Sequence, residues 1–90
     1  MRTMFVLAVA VACAHPQRTM PREVTALRER WETCWHFLGE EPYSAERKQQ
    51  IEDGIGRWCP GNHEERARLA AKWKDRADIQ QALRDLDELR

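Results

Sequence analysis

Four side chains in this 90-residue sequence carry most of its potential for chemistry: Cys34, His36, Cys59 and His63, two thiols and two imidazoles, enough donors for a tetrahedral zinc ion. Their spacing argues against that use. Cys34 and His36 are two apart, so on a helix their side chains diverge by roughly 200° and cannot chelate together. Cys59 and His63 lie four apart across Pro60-Gly61 and could meet, but in an oxidising compartment two thiols are better used as a disulfide. A Cys34–Cys59 bridge is therefore expected and no metal, with a metal-binding carrier kept as an alternative. Glu40-Glu41 reads as an exposed acidic turn, because adjacent loop carboxylates rarely converge on one bond. No nucleophile elbow, phosphate-gripping glycine loop, Cys-x-x-Cys pair or Cys-x-x-Cys-His haem attachment occurs, so neither enzymatic activity nor a cofactor is expected.

The compartment is indicated by the start of the chain. Arg2 supplies a positive charge, Met4 to Ala14 is an uncharged apolar run, and a polar stretch begins at His15-Pro16, the pattern of an export signal that is removed. An eleven-residue helix reaches only ~16 Å, about half the ~30 Å hydrocarbon core, so the run is too short for a membrane span. Two cutting patterns overlap. Ala12 and Ala14 suit cleavage after Ala14, which discards Cys13 and frees a soluble chain beginning at His15. Ala10-Val11-Ala12-Cys13 instead resembles the lipobox of bacterial lipoproteins, although that motif prefers leucine where this chain has Ala10. The resemblance implies a diacylglycerol on Cys13 as the membrane anchor; several acyl chains hold firmly where one binds marginally. A free His15 amine and imidazole could hold copper with His36 or His63, a use that anchoring at Cys13 would abolish.

Either cut leaves Cys34 and Cys59 as an even pair with one possible connectivity. The alternative is a pair of reduced, buried thiols. Bridging them stabilises a chain of this size by ~3.5 kcal/mol in the loop-entropy treatment. The expected organisation is export signal 1–14, tether 15–20 and helical domain 21–90. Fifteen basic and fifteen acidic residues balance; loss of Arg2 leaves the mature form about −1, which gives no case for a nucleic-acid partner. The core must be small, and four tryptophans, each able to bury on the order of 200 Å², are expected to carry much of it.

Val24, Leu27, Trp31, Cys34, Trp35 and Leu38 fall at alternating steps of three and four, one stripe of a helix over 21–38, with Pro21 in its first turn and Gly39 closing it in the left-handed conformation. Ser44 caps a second helix, Ala45 to Trp58, in which Ile51, Ile55 and Trp58 share a face with Cys59 nearby, and which stops at Pro60-Gly61. Asn62 with Glu65 has the spacing of a capping box, starting a third segment near His63. That segment changes face: Leu69, Ala70, Trp73 and Ala77 share one side, whereas Ile79, Leu83, Leu86 and Leu89 lie well over a right angle away. A kink near Asp78, with Asp78 capping a short fourth helix, brings both stripes to one core; a straight helix would leave the second stripe for a partner. The fold expected is all-α, a small three- to four-helix domain clipped by one disulfide.

The bridge constrains the first hairpin, because a tight turn would set Cys34 opposite Lys48 instead of Cys59. An extended connection over 39–43 carries the chain ~16 Å outward, and the second helix climbs back. Pro42 and Tyr43 are then expected to pack on the hairpin and Glu40-Glu41 to face water. Trp31 and Trp35 are expected in the core. Trp73, flanked by Lys72 and Lys74, is the candidate partner face. The run Arg66, Arg68, Lys72, Lys74, Arg76 precedes Asp78, Asp85, Asp87 and Glu88, an electrostatic dipole that either steers an anionic partner or is spent in salt bridges. Taken together, the expectation is a non-enzymatic, lipid-anchored protein of a bacterial cell envelope that binds another envelope protein, the alternative being a soluble periplasmic or secreted inhibitor or immunity-type protein.

Overall fold

The computed structural model describes residues 19–89, four α-helices and a closing 3-10 turn: α1 (Arg22–Leu38), α2 (Ala45–Trp58), α3 (Asn62–Lys72), α4 (Ala77–Asp85) and the turn Leu86–Glu88. Most of the expected tether, the export segment and Cys13 lie outside the described residues. The all-α architecture is as expected, and so is the bridge: Cys34 and Cys59 are disulfide-bonded with their Cα atoms 5.0 Å apart.

One apolar cluster holds α1, α3 and α4 together. Val24, Leu27 and Trp31 meet Leu69, Ile79, Leu83 and Leu86, and Leu27, Leu69 and Ile79 are sealed from solvent. Every member lies on a stripe visible in the sequence. No residue of α2 belongs to this cluster. That helix runs antiparallel to α1 in a shifted register: Cys59 meets Cys34, and Gly54 meets Phe37 so closely that a Cβ on Gly54 would lie 2.6 Å from the Phe37 ring. This register places the first half of α2 beyond the end of α1, where residues 45, 46 and 48–50 are exposed.

The extended connection that the disulfide demands is present, but its side chains are disposed differently from the expectation. Tyr43 is 83% exposed and does not pack on the hairpin. Glu40 turns back instead of facing water: Arg47 Nη2 donates to its carboxylate at 2.6 Å, and His36 Nε2 lies 3.5 Å away. The ion pair fixes the loop to α2 and holds the Glu40 carboxyl below its ordinary range, chiefly through the Arg47 hydrogen bond.

Helix ends divide into those with a local signal and those set from a distance. Ser44 caps α2 as expected, accepting from the Arg47 amide at 3.0 Å. Pro21 sits one residue earlier than expected, as the N-cap, its carbonyl accepting from Val24 and Thr25. Gly39 has φ −95° and not the left-handed value, and its amide simply continues the ladder to Trp35. The left-handed residue is Gly61, at φ 84°, which turns the chain from α2 into α3. Gly61 is also the N-cap, so the capping box assigned to Asn62 does not form. Asn62 is instead buried: its side-chain amide donates to the Trp58 carbonyl at 2.8 Å, and its oxygen accepts from Arg30 at 3.1 Å.

The expected change of face becomes a full break, with the cap of the fourth helix two residues earlier than Asp78. α3 stops at Lys72, residues 73–75 turn, and Arg76, extended at φ −106° and ψ 101°, is the N-cap of α4. Asp78 lies inside α4, where both its oxygens accept from the Arg76 guanidinium at 2.9 and 2.7 Å; that pair lowers its pKa to about 2. The orphan carbonyls at the end of α3 are met by Gln80, whose amide donates to Ala70 at 3.1 Å and Trp73 at 2.9 Å.

Candidate functional site

Two surfaces gather the side chains singled out by the sequence, at opposite ends of α1. The first lies over the disulfide. Trp31, Cys34, Trp35 and Leu38 from α1, together with Cys59, Asn62 and His63, line a shallow groove of ≈ 170 Å³. It exists because the stripe of α1 outruns its partners. Leu69, Ile79 and Leu83 cover Val24 through Trp31, while the disulfide and the start of α3 flank the stripe beyond Cys34. Trp35 is consequently 36% and Leu38 49% exposed, which corrects the expectation that Trp35 is a core residue alongside Trp31.

Trp31 forms the floor. It is 4% exposed, the His63 ring meets it edge-on at 5.0 Å, and the Arg66 guanidinium lies 5.1 Å over its face. Its indole N–H is buried and meets no acceptor among the described residues, a deficit worth ~1–3 kcal/mol. On the far side of Trp35 a second hollow is lined by Glu32, His36, Glu88 and Leu89, so the Trp35 ring stands as a ridge between two depressions. Arg30 supports the corner beneath: besides Asn62 it reaches the carbonyls of Arg57 and Pro60, each at 3.3 Å. Arg30 carried no signal in the sequence, being one cation among many on an exposed helix face.

The second surface holds the expected partner face. Lys72, Trp73 and Lys74 do lie together, at the junction of α3 with the start of α1, but two of the three are engaged within the domain. Trp73 donates its indole N–H to Glu23 at 3.0 Å, and Lys72 Nζ lies 2.6 Å from the same carboxylate. Arg68 completes the set at 2.9 Å and also bonds Glu65. Lys72 first, then Arg68 and Trp73, pull the Glu23 pKa down to about 2, and the Glu65 and Glu23 carboxylates raise that of Arg68. Lys74 is exposed. The charge asymmetry of the C-terminal third is largely spent in the same way, Arg66 bonding Asp87 at 2.8 Å and Arg76 bonding Asp78.

The structure separates the four potential metal donors. Cys34 and Cys59 are consumed by each other, His36 sits by Glu40, and His63 meets Trp31 edge-on. Among the described residues no three His, Cys, Asp or Glu side chains converge as a metal cage, and no helix is long and apolar enough to cross a membrane. Comparison of the chain with protein-family models, with curated proteins and with solved structures finds no match.

Proposed function

We propose that this chain is a small, non-enzymatic binding protein of a bacterial cell envelope, exported by its leading segment, anchored through a lipid on Cys13, and that it engages a protein partner with the groove over the disulfide. The single observation that carries the reading is the half-exposed pair Trp35 and Leu38 beside the buried, acceptor-less indole of Trp31. A large aromatic on a rigid, disulfide-backed helix is the kind of residue that dominates binding energy, since it buries much area at little entropic cost. The disulfide suits an oxidising compartment, in line with export.

Two experiments test the reading. A photo-crosslinking residue at Trp35 in growing cells is expected to give one discrete protein adduct, absent when the same residue replaces Lys48 on the overhanging half of α2. Equal labelling from both positions removes the groove from consideration. The intact mass of the mature protein reports the anchor. A mass beginning at acylated Cys13 is expected, whereas a free N-terminus at His15 assigns the soluble inhibitor or immunity-type form.

A further inference from the structure

We propose that the Cys34–Cys59 bridge is a reducible latch on the groove it lines, opened by a dithiol reductant that attacks Cys59, and that opening frees α2 and takes the groove apart. The inference rests on the groove reading above and adds how that site is regulated. Both cysteines line the groove, and neither belongs to the core cluster. Cys34 is 8% exposed, whereas Cys59 is only half-buried, so a reagent entering from the groove meets Cys59 first. A bridge sealed in a core is shielded from exchange; one that walls an open hollow is within reach.

The exchange balances with no group beyond the dithiol. One thiolate of the reductant bonds to the Cys59 sulfur, and the electron pair of the broken S–S bond leaves on Cys34, which takes up a proton from solvent. The reductant's second thiolate then attacks its own sulfur in the mixed disulfide and expels Cys59, which is protonated in turn. Two electrons pass to the protein. Cys34 and Cys59 end as thiols, and the dithiol, having given up two protons, ends as a disulfide.

What the bridge holds is the helix with the least packing. Ile51 and Gly54 are the buried residues of α2, its first half overhangs α1, and its far end is tied by the Arg30 guanidinium to the carbonyls of Arg57 and Pro60, each at 3.3 Å. Contacts that are few and partly exposed mark a segment that opens ahead of the rest. α1 and α3 do not share this dependence, because Leu27 and Leu69 pack in the common cluster. Reduction therefore parts the groove unevenly. Trp31, Trp35, Asn62 and His63 stay on the core-bound helices, while Cys59 leaves with α2, pivoting at Pro60-Gly61. A partner fitted to the closed groove loses one wall of its site, so reduction releases it.

The test uses the oxidised mature chain. Gly54 packs against the Phe37 ring, so its α-protons report α2 docking through the ring current. Dithiothreitol in native buffer is expected to return the Gly54 resonances to random-coil positions, leave the Leu69 and Ile79 methyl resonances in place, and be reversed by reoxidation. A Gly54 shift that survives complete reduction overturns the proposal, and so does loss of the Leu69 and Ile79 shifts along with it. Resistance of the bridge to dithiothreitol until denaturant is added overturns it as well. The entry point is read by brief exposure to glutathione, quenching in acid denaturant and alkylation with N-ethylmaleimide. Glutathione is expected on Cys59 and maleimide on Cys34; the reverse pattern contradicts attack from the groove. Because the latch is read on the isolated chain and the partner by crosslinking in cells, each reading can fail without the other.

Discussion

The two halves of this molecule are held by different forces. α1, α3 and α4 share an apolar cluster in which Leu27, Leu69 and Ile79 are fully enclosed, whereas α2 lies outside that cluster and is held on α1 by one buried aliphatic, Ile51, one covalent bond, one tight Phe37–Gly54 approach, and polar ties through Arg30, Asn62 and Arg47. A chain this short has too little apolar surface to enclose four helices, and it spends most of what it has on three. The bridge adds to the small contact that Ile51 and Gly54 make for α2. The same economy creates the candidate site, since Trp35 and Leu38 belong to the stretch of α1 that the core no longer reaches.

Substitutions in each half sharpen this contrast. Leu69→Ala empties a sealed core position and is expected to cost about 2–5 kcal/mol, lowering the stability of the whole α1–α3–α4 unit in denaturant titration. Replacing both Cys34 and Cys59 by serine is expected to cost ~3.5 kcal/mol, with the loss concentrated in α2. Gly54→Ala forces the Phe37 ring aside and is expected to cost about 1–3 kcal/mol; pairing it with Phe37→Leu should recover most of that, and no recovery would mean that the close approach is unimportant. Gln80→Ala removes the donor to the Ala70 carbonyl and one of two donors to the Trp73 carbonyl, which keeps the Arg76 amide, and is expected to cost about 1 kcal/mol, read as a lower thermal midpoint.

Glu23 has its folded pKa lowered from 4.5 to about 2, so the stability it supplies is complete above about pH 4.5 and is lost as pH falls from there toward 2. Its loss releases Lys72, Arg68 and the Trp73 indole together. Trp73 fluorescence should therefore change across that window in wild type and not in Glu23→Gln, and a change unaltered by the substitution would show that the indole is held by something else.

Much of the fold was legible because it is local or periodic. The stripe on α1, the Ser44 cap and the change of face between Leu69 and Ile79 each leave a mark within a few residues, and the even cysteine pair fixed the hairpin shift. What escaped depends on residues far apart. Asn62 has the letters of a cap, but Arg30, thirty-two positions earlier, draws it into the interior. Asp78 looks like a start signal, yet Arg76 holds its carboxylate and Gln80 supplies the hydrogen bonds at the break. Trp35 shares the period of Trp31 about one turn on; periodicity gives the direction of a side chain but not how deeply it is buried. The basic face around Trp73 was visible as composition, while its neutralisation by Glu23, fifty positions away, was not.

Hydrogen exchange measured with and without a thiol reductant tests most directly whether the bridge holds α2 where the shared core does not. Reduction is expected to bring the amides of Ala45–Trp58 close to unprotected rates while those around Leu27, Leu69 and Ile79 stay slow. Loss of protection throughout the domain at a single rate would mean that α2 and the core form one cooperative unit, contradicting the division on which the account rests.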